Sequence, residues 1–248
     1  MYAIYDNVKS VAIWWSAKCG CSTIKNLYYN YIKAANISNV HIRDSYNCNP
    51  ELVHYKNVLT VRNPYDRIVS AFLEKYVRPV SHVFLNDFLA KRPMPMKEFN
   101  FAVFIDYLYD YYINHTLQPL STHELHHTTP QFSEAYDLVP NLKFQVIHQL
   151  ETFDCLKFVE SIEYPQPTIQ SRLEIFTFIT NVIPYTKIIS LENAHMLNFS
   201  SLNNDYLSKH TKINYASFLS PEITAKITQI YHKDLNILKN EYGIIYSP

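Results

Sequence analysis

Six consecutive residues, Lys18-Cys19-Gly20-Cys21-Ser22-Thr23, place a positive charge, a glycine and two hydroxyls in one short stretch. At a junction between a strand and a helix such a stretch suits an anion. Backbone N–H groups of the turn and of the helix N-terminus point outward, and the helix macrodipole favours negative charge there. Gly20 permits a positive φ or a close backbone approach. A tight turn with incidental polar residues explains the same composition, so the loop alone leaves both readings open. A second charged position closes Val58-Leu59-Thr60-Val61-Arg62. A guanidinium at a strand end can hold a terminal phosphate bidentately, and Ser70, two turns into the following helix, adds a hydroxyl. The bland alternatives are a surface ion pair for Arg62 and small-residue packing for Ser70. A third candidate is His123-Glu124-Leu125-His126-His127, which satisfies the H-E-x-x-H pattern of zinc hydrolases. That pattern needs a helix carrying both histidines on one face, and a third ligand. Pro119 upstream and Thr128-Thr129-Pro130 downstream leave barely two turns, and Glu151 is a third ligand at poor spacing, so an accidental match is the better reading.

These residues need elements to position them. Val11-Ala12-Ile13-Trp14-Trp15 is an apolar, β-branched and aromatic run, the pattern of a strand buried on both faces in a parallel sheet. From Thr23 to Ala35, Ile24, Leu27, Tyr28, Tyr31 and Ile32 fall at helical spacing. The same order of strand, loop and helix recurs from Val58: Asn63 can cap, Pro64 suits the first helical position, and Asp66 favours the helix N-terminus. Ile68, Val69, Phe72 and Tyr76 continue that helix. Val40-His41-Ile42 reads as a short strand between the two copies, and Phe101, Phe104, Ile105, Leu108 and Tyr112 as an amphipathic helix. Further on come a strand at Phe144–Ile147, a helix at Phe153–Ile162 and a strand at Lys187–Ile189. Ser220-Pro221 opens a last helix with the stripe Ile223, Ile227, Ile230, Tyr231, Ile237 and Leu238, ended by Gly243. Alternating strands and helices predict an α/β fold with a mainly parallel sheet, in a single domain over residues 1–248.

Composition removes several classes. Gly20 and Gly243 are the only glycines among 248 residues, where average usage would give roughly 17. Neither a G-x-G-x-x-G fingerprint nor a Walker A loop can be written with them. With 22 basic and 22 acidic residues the formal charge is zero, which argues against a dedicated nucleic-acid binder. The cysteines Cys19, Cys21, Cys48 and Cys155 include no C-x-x-C pair and form no disulfide framework. A redox pairing of Cys19 with Cys21 is disfavoured because residues one apart seldom reach disulfide geometry. Residues 1–9 lack a signal-peptide pattern and no run approaches 18 apolar residues, so a cytoplasmic protein without a membrane span is expected.

Val11-Ala12-Ile13-Trp14-Trp15-Ser16-Ala17-Lys18-Cys19-Gly20-Cys21-Ser22-Thr23 resembles the 5′-phosphosulfate loop of the sulfotransferase family, particularly its carbohydrate-type branch. Val61-Arg62-Asn63-Pro64-Tyr65-Asp66-Arg67-Ile68-Val69-Ser70-Ala71-Phe72 is similar to the 3′-phosphate motif of that family, in the expected order. His127-Thr128-Thr129-Pro130-Gln131 resembles a His-x-x-Pro-Gln element, and Tyr231-His232-Lys233-Asp234 the closing helix. The resemblance implies a P-loop-like three-layer sandwich with a central, mainly parallel sheet flanked by helices. It implies as donor 3′-phosphoadenosine 5′-phosphosulfate, with adenosine 3′,5′-bisphosphate as product, and a hydroxyl acceptor on a glycan or small molecule. No metal is required by this chemistry, and neither nucleic acid nor membrane is an expected partner.

In this reading Lys18, Cys19, Gly20, Cys21, Ser22 and Thr23 hold the phosphosulfate, Arg62 and Ser70 the 3′-phosphate, and Lys212 reaches the nucleotide from a C-terminal loop. Lys18 also stabilises the leaving group. Arg67 is structural. For the general base His127 comes first, because it matches the His-x-x-Pro-Gln element; Glu74, one turn beyond Ser70, is second and His41 third. A surface histidine and a solvated helix charge are the ordinary alternatives for these positions. Other functional readings are a nucleotide-dependent kinase-like enzyme, disfavoured by the missing Walker A glycines, and a nucleotide-binding protein without a base. Gly20→Val is expected to abolish donor binding more than stability.

Overall fold

The structure is a computed structural model and describes residues 2–32, 50–78, 82–116, 120, 122–132, 139, 141–164, 187–206 and 211–248. Along the chain run β1 (Tyr2–Asp6), β2 (Val11–Trp15), α1 (Cys21–Asn26), β3 (Lys56–Val61), α2 (Pro64–Phe72), α3 (His82–Lys91), α4 (Phe101–Tyr109) and α5 (Thr122–Thr128). β4 (Val146–Gln149), α6 (Cys155–Ser161), β5 (Lys187–Ile189), β6 (Thr211–Ile213), α7 (Pro221–Ile230) and α8 (His232–Tyr242) follow. α1, α2 and α4 widen into π-type turns at Leu27–Ile32, Leu73–Val77 and Asp110–Asn114. The strand expected at Val40-His41-Ile42 lies outside the described residues, as does the end of the helix expected to reach Ala35. The fold is α/β, with a mainly parallel central sheet flanked by helices. Its residues form two compact units, Met1–Arg62 with Gln131–Val182, and Asn63–Pro130 with Ile183–Pro248.

The first unit carries the central sheet, ordered β1-β2-β3-β4. β1 is antiparallel to β2, whereas β2–β3 and β3–β4 are parallel, with Trp15 opposite Thr60 and Thr60 opposite His148. All five residues of β2 are buried, as an apolar run with no polar alternation requires. Burying Trp14 leaves its indole N–H in need of an acceptor, which Asn57 Oδ1 supplies at 2.7 Å. Asn57 in turn donates to the carbonyls of Leu52 and Tyr55. Ile13, Trp15, Ile24, Leu27, Val58, Phe158, Val159 and Ile162 form one apolar cluster.

Among the boundaries that differ from the sequence pattern are the starts of β4 and α6. β4 starts at Val146 rather than Phe144, because Phe144 packs edge-on against Trp14 and Phe132. α6 starts at Cys155 rather than Phe153, because Asp154 caps it by accepting from the N–H groups of Leu156 and Lys157.

In the second unit β5 and β6 pair in parallel beside the helices. Asn63 caps α2 by accepting from the Tyr65 N–H, with Pro64 at its first position. Ser220 caps α7 in the same way ahead of Pro221. The core centres on Phe72, whose ring meets Tyr76, Phe99, Phe101, Phe104 and Phe218 at centroid distances from 5.1 to 6.3 Å. The single last helix expected from the stripe is two helices: Tyr231, at φ −104° and ψ 17°, leaves helical geometry between α7 and α8. Its ring is fully buried and its hydroxyl donates to the Thr128 carbonyl at 2.6 Å. Gly243 ends α8 at φ 66°, a left-handed conformation for which glycine is the usual residue.

Candidate functional site

In the first unit, β2 runs into a turn that the Cys19 N–H closes on the Ser16 carbonyl at 3.1 Å. Two residues of the loop adopt left-handed backbone, Lys18 at φ 67° and Gly20 at φ 78°. Such strain at a non-glycine residue is sparsely populated and collects at ligand-binding sites. Gly20 is the N-cap of α1, and no side chain caps the helix there. The first-turn amides of a helix take their partners from outside the helix, and in α1 they belong to this loop. Cys19 is buried, while Lys18, Gly20, Cys21, Ser22 and Thr23 are half-buried.

The structure adds a reason for Gly20 beyond its φ. A Cβ on it would stand 2.7 Å from Leu150 Cδ1, so a substitution must move that methyl as well as strain the backbone. A larger residue therefore disturbs packing together with the loop, so Gly20→Val should cost some stability as well as the donor binding that is expected to suffer more.

Arg62, at the end of β3, belongs to the same unit. Its Nη1 donates to the Lys18 carbonyl at 3.2 Å, so the two cationic strand ends are joined by a direct hydrogen bond. Gln131 joins them again. Its Oε1 accepts from the Arg62 N–H at 3.0 Å and from the Cys19 thiol at 2.9 Å. Its Nε2 donates to the Arg62 carbonyl at 2.9 Å, and its own carbonyl accepts from the Ser16 hydroxyl at 3.3 Å. The sequence pointed to this segment through its histidine; the glutamine four residues later makes these bonds. Cys19, Cys21 and Cys155 are not disulfide-bonded. Burial pushes the Cys155 thiol up to about 11, which keeps it protonated near neutral pH.

In the second unit Ser70, Glu74 and Lys212 line one cleft, with Leu73, Arg78, Ile213 and Tyr215. Ser70, Glu74 and Arg78 follow one another at i, i+4 and i+8, one stripe along α2 and the turn after it. Arg78 is absent from the residues expected by sequence, although that spacing is a signal that points to it. Lys212 comes from β6, with its ammonium 4.3 Å from the centre of the Tyr215 ring, a cation–π distance.

His127 lies on α5, half-buried, with its ring 5.6 Å from that of Phe84 and 4.5 Å from that of His126. The residues after it are held firmly. Arg67, 1 % exposed, donates to the Thr129 carbonyl at 2.8 Å, in line with its structural reading. Tyr112 shares hydrogen bonds with the hydroxyls of Thr128 and Thr129, and burial raises its phenol above the usual value. α5 spans seven residues, and among the described residues no group of three His, Cys, Asp or Glu side chains is placed to hold a metal ion. His41 lies outside the described residues.

A central strand that runs into a cationic, glycine-bearing loop and then a helix, beside a second strand ending in arginine, defines an α/β protein with two hydrogen-bonded cationic segments at neighbouring strand ends. The chain belongs to the sulfotransferase family, whose model matches residues 16–242, and so to a class of enzymes that transfer sulfate. No curated protein and no solved structure gives a significant match to it. No helix among the described residues is long and apolar enough to cross a membrane.

Proposed function

We propose that this protein transfers a sulfuryl group from 3′-phosphoadenosine 5′-phosphosulfate to a hydroxyl group, with a carbohydrate as the acceptor. The observation that carries the reading is the hydrogen bond from Arg62 to the Lys18 carbonyl, which joins the two cationic strand ends. One such loop suits any mononucleotide; two suit a nucleotide with anionic groups at both ends. The strained backbone at Lys18 and Gly20 and the uncapped start of α1 fit a phosphate-sized anion.

The donor supplies an activated sulfuryl group, whose bond to the phosphate oxygen breaks as the acceptor oxygen attacks in line. Lys18 and the amides of Gly20, Cys21, Ser22 and Thr23 stabilise charge on the departing phosphate, as fixed dipoles do more effectively than water. Cys19 is buried and supports the loop rather than touching the anion. In the first unit Arg62 is the residue we assign to the 3′-phosphate, and in the second unit Ser70 and Lys212 are those we assign to the nucleotide. A general base takes the acceptor proton, and His127 is the residue we assign. Glu74, which lines one cleft with Ser70 and Lys212, stands second as base, and His41 third. No residue is assigned to a metal.

Calorimetry with adenosine 3′,5′-bisphosphate and with ATP tests the donor. The bisphosphate should bind more tightly, and tighter ATP binding favours a kinase-like enzyme. Transfer of radiolabelled sulfate to glycans and small alcohols tests the reaction. Bisphosphate binding without transfer to any acceptor, by folded protein, identifies a nucleotide-binding protein instead.

A further inference from the structure

We infer that Gln131 is a positioning residue for the donor: its carboxamide fixes the Lys18–Thr23 loop and the Arg62 strand end relative to each other. The inference rests on the donor-binding reading above.

The loop follows β2 and Arg62 follows β3, and these strands pair in register from Val11 opposite Lys56 to Trp15 opposite Thr60. Beyond that last pair the backbone ladder stops, and the two anion-binding segments must be held by other bonds. Gln131 supplies them from a distant part of the chain. Toward Arg62 it acts as a neighbouring strand would, accepting from the main-chain N–H at 3.0 Å and donating to the main-chain carbonyl at 2.9 Å. Toward the loop, the same Oε1 accepts the Cys19 thiol proton at 2.9 Å. The side chain is 1 % exposed, so water cannot replace these bonds.

Of the side chains in their usual ionisation state near neutral pH, a primary amide of this length satisfies the whole set. A carboxylate can accept from Arg62 and Cys19, but it has no proton for the Arg62 carbonyl and adds negative charge beside an anion site. An aliphatic side chain offers nothing. Asparagine is one methylene short. A neutral carboxylic acid, in contrast, has one acceptor oxygen and one O–H donor, and so restores the Arg62 pairing. Displacements of about 1 Å at reacting groups lower rates steeply, so the separation of two anion anchors is a property that one buried amide can control.

The test is bisphosphate binding by the full chain with Gln131→Leu and Gln131→Glu, followed by calorimetry. Gln131→Leu should weaken the bisphosphate at least tenfold and raise the donor KM by a similar factor, with the acceptor KM unchanged. Gln131→Glu should bind at least tenfold more weakly than the unsubstituted protein at pH 8. That ratio should fall towards one as the pH is lowered to about 5.5, because burial raises a carboxyl's pKa and its protonated form mimics the amide. Comparison with the unsubstituted protein at each pH removes the titration of the ligand itself. A folded Gln131→Leu protein that binds within twofold of the original overturns the inference. If that variant does not fold, a Gln131→Glu ratio that stays flat across the pH range overturns it instead. An unsubstituted protein that does not bind the bisphosphate overturns the donor reading itself, and the inference with it.

Discussion

The loop segments of the first unit and the aromatic core of the second are held by different physics. In the first, the functional segments are joined by directed polar bonds: Gln131 to Arg62 and Cys19, Arg62 to Lys18, and Ser16 to the Gln131 carbonyl. In the second, the core is a set of packed rings around Phe72, with Tyr76 also against Phe84, Phe99 and Phe104. Ring packing depends on volume and shape, and volume-conserving exchanges in such cores usually cost less than about 1.5 kcal/mol. A buried amide pairing depends on the identity of donor and acceptor, so an exchange that keeps shape but changes chemistry fails. Small chemical changes at these bonds of the first unit should therefore act on ligand binding, whereas loss of volume in the aromatic core of the second should act on stability.

The largest effect that tests this contrast is Phe72→Ala. Truncating a fully buried ring with five aromatic neighbours should cost about 3–5 kcal/mol, read from urea unfolding. A loss below about 1 kcal/mol would mean that the ring is not central to the core. Next comes Gly20→Ala. Its φ of 78° and the Leu150 methyl 2.7 Å from the new Cβ predict a stability loss of about 1–2 kcal/mol together with at least tenfold weaker bisphosphate binding. If stability falls while calorimetry finds binding unchanged, the loop is scaffold and the contrast fails on that side.

Acid should act on the first unit through His148. Its Nε2 lies 2.9 Å from the Ser161 hydroxyl, which itself donates to the Phe158 carbonyl, so the ring is the donor in that bond. Burial lowers its pKa from the usual 6.5, outweighing the attraction of Asp154. The folded state therefore binds the proton less readily than the unfolded chain. Stability is retained above pH 6.5 and declines as the pH falls from there through the folded-state value. Unfolding curves between pH 7.5 and 5 should show this decline, and His148→Gln should reduce it; an unchanged slope would remove His148 as its source.

The smallest effect is expected at the surface of the second unit. Lys226 hydrogen-bonds Asp106 and Glu222, each at 2.7 Å, and those bonds raise its pKa above the usual 10.5. Its stabilisation is present below that value and is lost as the pH rises through the folded-state pKa. Because the group is largely solvated, Lys226→Met should cost less than about 1 kcal/mol at pH 7, and less still in high salt. A larger loss would show that directed polar bonds matter to the second unit as well.

Sequence alone determined what short-range physics encodes. An unbroken apolar run specified β2, Asn63-Pro64 and Ser220-Pro221 specified helix starts, Gly243 specified a helix end, and the two loop motifs specified the family. Each of these signals acts within a few residues, through backbone preference, capping or the period of buried positions. Tertiary structure decided the rest. Cys19 and Gln131 are 112 positions apart and Arg62 and Gln131 are 69 apart, so no local pattern could show that one amide holds both segments. Leu150 beside Gly20, Lys212 in the cleft with Ser70, and the break at Tyr231 are likewise meetings of distant segments. Local sequence chose which residues could bear the chemistry, and long-range packing set where their atoms stand, because hydrogen-bond geometry and excluded volume act between atoms close in space, however far apart they lie in the chain.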